Sequence, residues 1–177
     1  MRAFVLLVCL ISAVVPNGGV PVASAHASDL PATQTTLDLV RAAAAGDLPR
    51  TTALLAAGAD PNVVDPNWRS PLIHAARLGR FDLVEVLVRA GAAVDWQDSD
   101  KVSALILAAW GNHSRIAEFL IRAGADPLLV DRWGRRALDY ALARGKNDGI
   151  ARMLRGAEVN RPLASGARRD HAGEAVK

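Results

Sequence analysis

The chain has 177 residues, 51% of them hydrophobic and 22% charged, which is enough apolar material for one folded domain and excludes a chain that is disordered throughout. Its net charge of +3 at pH 7 is too small for a general nucleic-acid-binding protein, whose affinity depends on many contacts between basic side chains and phosphates. We therefore expect no nucleic-acid partner.

The segment 1–25 has the pattern of a secretory signal peptide. Arg2 precedes an unbroken apolar run from Ala3 to Val15, which is shorter than the roughly 20 residues that a membrane-spanning helix needs. The sequence Ala23-Ser24-Ala25 then has the small-x-small pattern that signal peptidase requires, and cleavage after Ala27 is a second choice. The sequence predicts export, to the periplasm or out of the cell, and no membrane attachment after cleavage. An uncleaved membrane anchor is the alternative.

Cys9 is the only cysteine, and it lies inside this leader. The mature chain would therefore contain no disulfide, although its destination is oxidising, and its stability must come from packing.

An internal repeat organises the rest of the chain. Gly58, Gly91 and Gly124 follow one another at a constant interval, within the similar phrases AAGADPN, RAGAAVD and RAGADPL. Leucines and aspartates recur at the same interval, namely Leu39, Leu72, Leu105 and Leu138, and Asp65, Asp98 and Asp131. A period of about 33 residues indicates stacked units of one supersecondary structure.

Each unit is predicted to contain two short helices. In SPLIHAARLGR, Ser70 can cap the first helix, Pro71 suits its first position, and Gly79 ends it. The small pair Ala75-Ala76 lets a neighbouring helix approach closely. FDLVEVLVRAG then forms a second helix with one apolar face, which ends at Gly91.

With this period, SPLIHAARLG followed by a helix and GA resembles the ankyrin repeat, whose signature is T-P-L-H-x-A. The resemblance implies an all-α solenoid of helix-turn-helix units joined by β-turn or hairpin loops. Two departures from the family pattern concern the loops and the signature: Ile73 and Ile106 replace its usual histidine, and Trp68 and Lys101 replace a turn glycine that only Gly134 keeps.

The predicted organisation is a signal peptide at 1–25, a linker at 26–36, an ankyrin domain at 37–156 and a disordered tail at 157–177. Within it we place four repeats, at about 33–64, 65–97, 98–130 and 131–156.

The sequence contains no pattern typical of catalysis or metal binding. The four histidines have no cysteine partner and no histidine at i+4, no serine lies in a G-x-S-x-G motif, and the glycines form no phosphate-binding loop. We therefore predict a non-enzymatic protein with no cofactor and no metal. The alternative is a periplasmic enzyme or a ligand- or metal-binding protein that uses His74 or His113 in the groove. The position that His74 occupies in its repeat, which we call the slot, holds Arg41, Leu107 and Tyr140 in the other repeats. We therefore expect this slot to be neither a buried core position nor a catalytic one.

The ankyrin resemblance implies that a partner protein binds the concave face, through loop residues and the residues after each Ala-Ala pair. Trp and Arg, which dominate binding hot spots, are frequent there. The predicted partner-binding residues are Trp68, Arg69, Arg77, Leu78, Lys101, Val102, Trp110, Arg132, Trp133, Arg135 and Arg144.

This set predicts a monomer whose partner protein has some acidic character at the contact. Two other interpretations of the tryptophans remain open: Trp110 covers a neighbouring helix, or Trp68 and Trp133 only close loops over the stack. Trp96 is expected to pack. An effector that neutralises a foreign target would use the same mechanism of binding.

Overall fold

The computed structural model describes residues 32–145 and 148–159. In these two ranges it contains eight α-helices in four successive pairs and no β-sheet, which confirms the predicted all-α solenoid. The helices are α1 Ala32–Ala45, α2 Leu48–Ala56, α3 Pro71–Leu78, α4 Phe81–Arg89, α5 Ala104–Trp110, α6 Ser114–Arg122, α7 Ala137–Arg144 and α8 Gly149–Val159. Only a short turn joins the helices of each pair, so the two run antiparallel.

The local signals at α3 act as the sequence predicts. The Ser70 hydroxyl accepts a hydrogen bond from the backbone N–H of Ile73 at 3.4 Å, and Pro71 occupies the first turn. Gly79 ends the helix in a left-handed conformation, with φ of 69°. Ser103 caps α5 in the same way, through the N–H of Ile106 at 3.3 Å.

The pairs stack in two rows. Odd-numbered helices pack in the order α1, α3, α5, α7 and form an inner row, and even-numbered helices pack in the order α2, α4, α6, α8 and form an outer row. The recurring leucines and alanine pairs lie in this core, where Leu72, Leu105 and Leu138 are buried. Because Ala75-Ala76 and Ala108-Ala109 are fully buried between inner helices, their small size allows the close stacking.

The outer helix of one pair connects to the inner helix of the next through a loop that is longer than the turn within a pair. Isolated antiparallel bridges close two of these loops, between Gln97 and Ser103 and between Val130 and Arg136. We refer to the surface formed by α3, α5, α7 and the tips of the loops before them as the inner face.

The ends of the stack differ from the predicted boundaries. The first helix begins at Ala32, inside the predicted linker, and the last continues to Val159, past residue 156 and into the segment predicted to be disordered. The predicted signal peptide and the tail beyond residue 159 lie outside the described residues. No helix in the described part of the chain is long and apolar enough to cross a membrane.

Candidate functional site

The loops that lead into α3, α5 and α7 are each closed by the aspartate that recurs once in every repeat. In the first loop, Oδ1 of Asp65 accepts hydrogen bonds from the backbone N–H groups of Asn67 and Arg69, at 2.8 and 2.9 Å. Asp98 and Asp131 accept the corresponding bonds in their own loops, at 2.9 to 3.0 Å. The aspartate therefore fixes the shape of each loop and sets where the residues at its tip project.

The residue three positions after each aspartate has a left-handed backbone. Its φ is 60° at Trp68, 59° at Lys101 and 74° at Gly134. Glycine adopts this conformation freely, whereas an L-residue with a side chain incurs a cost of about 1–2 kcal/mol. The three loops thus share one backbone conformation at this position although two of them lack the glycine, and the tips at Trp68 and Lys101 carry strain of a kind that often marks functional positions.

The second carboxylate oxygen of each aspartate has a different partner in each repeat. His74 Nε2 lies 3.0 Å from Oδ2 of Asp65, and the hydroxyl of Tyr140 donates to Oδ2 of Asp131 at 2.5 Å. In the middle loop, where Leu107 cannot donate, Nε of Arg69 reaches across from the preceding repeat and donates to Oδ2 of Asp98 at 3.3 Å.

At Asp65 and Asp131 these contacts favour the ionised carboxylate and lower its pKa. Burial alone would raise the pKa of Asp65, but the N–H groups of Arg69 and Asn67 together with His74 outweigh burial and lower it. Burial likewise opposes ionisation of Asp131, whose pKa is nevertheless lowered by the Tyr140 hydroxyl and by two backbone N–H groups. Desolvation, together with the same hydrogen bond, raises the pKa of Tyr140 to about 12.

His74 itself is buried, contrary to the expectation, whereas Arg41 is exposed and Leu107 and Tyr140 are half-buried at the same position of their repeats. His74 is 5% exposed, with Nε2 facing Asp65 and Nδ1 3.3 Å from Nη2 of Arg77. An arginine can only donate, so Nδ1 is the acceptor and the ring is the neutral Nε2–H tautomer. Burial lowers the pKa of His74 and so favours the same neutral form. The attraction of Asp65 acts in the opposite direction but does not outweigh burial. Dissimilar residues can occupy this position because the aspartate of the repeat bonds to another residue where the side chain cannot donate, as Asp98 does with Arg69.

Three of the four tryptophans are exposed on the inner face, with exposed fractions of 58% for Trp68, 63% for Trp110 and 59% for Trp133. Trp96, which was predicted to pack, is half-buried: it stacks on Trp68, with ring centroids 6.3 Å apart, and its Nε1 donates to the Trp68 carbonyl at 2.8 Å. Trp68 thus combines a loop-closing contact with a largely exposed ring.

Trp110 and Trp133 line one cavity of about 410 Å³ between the third and fourth helix pairs. Its apolar lining comes from two loops and two inner helices, and consists of Val102, Ile106, Leu107, Trp110, Trp133 and Tyr140. Asp100 and Arg135 form its polar edge. Of the predicted partner-binding residues, the structure brings four together here: Val102, Trp110, Trp133 and Arg135.

Most of the predicted cations are already paired within the fold. Arg69 contacts Asp98 at 3.3 Å, and Arg132 donates to Asp100 at 2.8 Å. Arg144 contacts Asp148 at 3.1 Å and donates to the carbonyls of Ala109 and Trp110 across the helix junction. These arginines brace neighbouring repeats, a role that the sequence analysis did not predict.

The remaining predicted cations are less engaged. Among the described residues, Lys101 and Arg77 form no ion pair, and both are exposed. Leu78, which follows Arg77, is exposed as well. The guanidinium of Arg135 lies 4.8 Å from the centre of the Trp133 ring and 4.6 Å from that of Tyr140, with Nε 3.4 Å from Asp131.

Sequence reasoning missed part of the cavity. Leu107 and Tyr140 were recognised as equivalents of His74 but were not assigned to the site, and Ile106 and Asp100 were not singled out as lining residues. The available signal was the period itself, since residues 107 and 140 share one slot of adjacent inner helices and therefore face the same groove.

The two groove histidines do not form a common site. Both ring nitrogens of His74 have partners, whereas His113 packs at the turn between α5 and α6, against Gly79 and Gly111. In the part of the chain that the structure describes, no group of three His, Cys, Asp or Glu residues could hold a metal ion.

Comparison with protein families agrees with this architecture. A family model described as ankyrin repeats, in three copies, matches residues 39–131. The chain belongs to the ankyrin-repeat family. The matched region begins within α1, continues through α6 and ends at Asp131, the aspartate of the last loop. A search of curated proteins found no match.

Membership in the family has functional consequences. Ankyrin repeats indicate a module for protein–protein interaction, and the family is typically non-enzymatic. Binding of another protein is therefore the function that membership in this family indicates.

Proposed function

We propose that this ankyrin-repeat protein is an exported, monomeric, non-enzymatic module that binds a partner protein through the concave, inner face of its stack. One observation carries the proposal: Trp110 and Trp133 both expose more than half of their surface, and both line a single, mainly apolar cavity. Large aromatic side chains in this setting are typical of binding hot spots, because burial of their surface on association is strongly favourable.

The loop tips support the same face. Trp68 and Lys101 are held in a left-handed conformation that glycine would adopt without cost, as Gly134 does in the last loop. A strained tip that presents a tryptophan or a lysine to solvent is better explained by contact with a partner than by stability of the loop.

We propose that the partner is acidic at the contact. The face carries six cationic side chains, of which Lys101 and Arg77 have no carboxylate partner among the described residues. The paired arginines also retain unused N–H donors, so they can bind a second carboxylate at the rim.

A pull-down from an extract of the producing cells tests the proposal, with the mature chain as bait. The double variant Trp110→Ala, Trp133→Ala is expected to lose most of the bound partner while its far-ultraviolet circular dichroism stays that of the parent. Leu128→Ala is the matched control, since Leu128 is 43% exposed and does not line the cavity. Equal recovery of partner by the double variant and the parent would show that the inner face is not the binding surface.

Export is part of the proposal and has its own test. It is supported by Arg2, the apolar run and the Ala23-Ser24-Ala25 pattern. Intact-mass measurement of the protein from the producing cell should give a chain that begins at His26, or at Ser28 if cleavage follows Ala27. A chain that retains the segment 1–25 would refute cleavage.

A further inference from the structure

The cavity between the third and fourth repeats has a chemical character that specifies its occupant, and this inference rests on the proposed function. Its floor and walls are aliphatic and aromatic, from Val102, Ile106 and Leu107 to the two tryptophans. The volume of about 410 Å³ lies in the range of sites that enclose small ligands or single side chains with their backbone.

The hydroxyl and carboxylate groups at this cavity already have partners, whereas the Arg135 guanidinium has unused donors. The Tyr140 hydroxyl donates to Asp131, and the Asp100 carboxylate accepts from Arg132 at 2.8 Å. Arg135 differs, because only its Nε contacts Asp131, at 3.4 Å, and no hydrogen bond within the described residues uses its Nη atoms. The guanidinium is held between two aromatic rings, so a bidentate donor pair is pre-positioned at the edge of an apolar cavity.

A second cation is adjacent in sequence to two residues that line the cavity. Lys101 follows Asp100 and precedes Val102, is exposed, and has no ion pair in the described part of the chain. Besides the Arg135 guanidinium at the cavity edge, the loop that contributes Asp100 and Val102 therefore carries a cation with unused donors. An anion that approaches this edge meets more positive than negative charge, because Asp100 is neutralised by Arg132.

We propose that this cavity receives one large apolar side chain of an extended segment of the partner, in which an aspartate or glutamate stands within two residues of that side chain. The apolar group fills the space between Trp110 and Trp133, and the carboxylate binds Nη1 and Nη2 of Arg135, with Lys101 nearby. Two residues of extended chain span about 7 Å, which is enough to reach from the cavity to its rim.

Selection from a phage-displayed library of random dodecapeptides on the full chain tests this proposal. The expected result is a consensus in which a leucine, isoleucine, methionine or aromatic residue lies within two positions of Asp or Glu. A synthetic consensus peptide should bind the Trp110→Ala variant and the Arg135→Gln variant at least tenfold more weakly than the parent, as measured by fluorescence anisotropy.

Two matched control variants and a double-mutant cycle between the peptide carboxylate and Arg135 complete the test. Arg122→Gln removes an exposed arginine of the outer row and Leu128→Ala an exposed leucine outside the cavity, and both should change the affinity less than twofold. Replacing the peptide carboxylate by its amide should weaken binding to the parent but have little further effect on Arg135→Gln, because the two groups form one contact. Trp133→Ser serves as the second cavity variant if Trp110→Ala does not fold.

The outcomes separate this inference from the proposed function. Selected peptides that bind Trp110→Ala and Arg135→Gln as well as the parent would overturn the assignment of the cavity, and so would a library that yields no enriched sequence. If the double tryptophan variant nevertheless loses its partner in the pull-down, the inner face remains the binding surface even where the peptide results overturn the assignment of the cavity.

Discussion

The ring of His113 fits between two glycines, and this packing gives a sharp test of the stack. A Cβ atom added at Gly79 would lie within 2.8 Å of three atoms of the His113 ring, and one added at Gly111 would lie 2.5 Å from its Nε2. Gly79 also has a left-handed backbone, with φ of 69°, whereas Gly111 has φ of −78°. Gly58 provides the third case, since its φ is 86° and nothing lies within 4 Å of an added Cβ.

The three glycines therefore separate two physical effects. Gly58→Ala has only the left-handed backbone cost of about 1–2 kcal/mol, offset by about 0.4–1 kcal/mol of lost freedom in the unfolded chain, and should lower the free energy of unfolding by about 1 kcal/mol. Gly111→Ala has only the steric cost of overpacking, about 1–3 kcal/mol with the same offset. Gly79→Ala combines both effects and should cost about 3 kcal/mol.

Urea denaturation followed by far-ultraviolet circular dichroism measures these differences, provided that the slope with denaturant stays unchanged. A His113→Ala background should reduce the cost of Gly79→Ala to about that of Gly58→Ala, because the clash is then absent. The cost at Gly58 should not change in this background. If Gly79→Ala were no more harmful than Gly58→Ala, or if His113→Ala gave no recovery, the packing of this ring against the two glycines would be refuted.

Three further perturbations test the loops. Tyr140→Phe removes the hydroxyl that donates to a buried oxygen of Asp131, which then keeps only the contact with Nε of Arg135 at 3.4 Å, and should lower the free energy of unfolding by about 2 kcal/mol in the same denaturation assay; no change would show that this hydrogen bond contributes nothing. Lys101→Gly relieves a left-handed residue and should raise that free energy by up to about 1 kcal/mol, whereas Gly134→Ala should lower it; destabilisation by Lys101→Gly would refute the strain. Burial lowers the pKa of His74 below its unfolded value of about 6.5, so the free energy of unfolding should decline as the pH falls from about 6.5 toward the folded pKa. His74→Gln should show a flatter dependence on pH over this range. An unchanged slope would contradict a buried, neutral His74.

The fold could be predicted because its determinants are local and repeated. Ser70, Pro71 and Gly79 begin and end a helix through contacts within a few residues, and the period shows that the same unit recurs. The alanine pairs could be read in the same way, since only a small side chain permits the close approach that stacking requires. The family-model match and the helix pairs confirm this part of the prediction.

The contacts within the site could not be predicted to the same extent, because they depend on which residue of a neighbouring repeat or loop each side chain contacts. The burial of His74 follows from a bond to Asp65 in the loop before its helix, and the pairing of Arg69 follows from a carboxylate in the following repeat. The sequence predicts that Arg144 binds a partner protein, whereas in the structure it donates to a carbonyl of the preceding repeat. No local pattern distinguishes an arginine that braces a junction from one that faces solvent.

The slot that holds His74, Leu107 and Tyr140 explains why the repeats are not equivalent as binding surfaces. A histidine or tyrosine there is engaged by the aspartate of its own repeat, whereas Leu107 leaves Asp98 to an arginine from the repeat before. Its apolar side chain lines the same cavity as Trp110 and Trp133. A leucine at a position that holds a histidine or a tyrosine in the neighbouring repeats thus places apolar surface at one junction. Recognition by this protein is for that reason expected to concentrate between the third and fourth repeats rather than to spread evenly along the inner face.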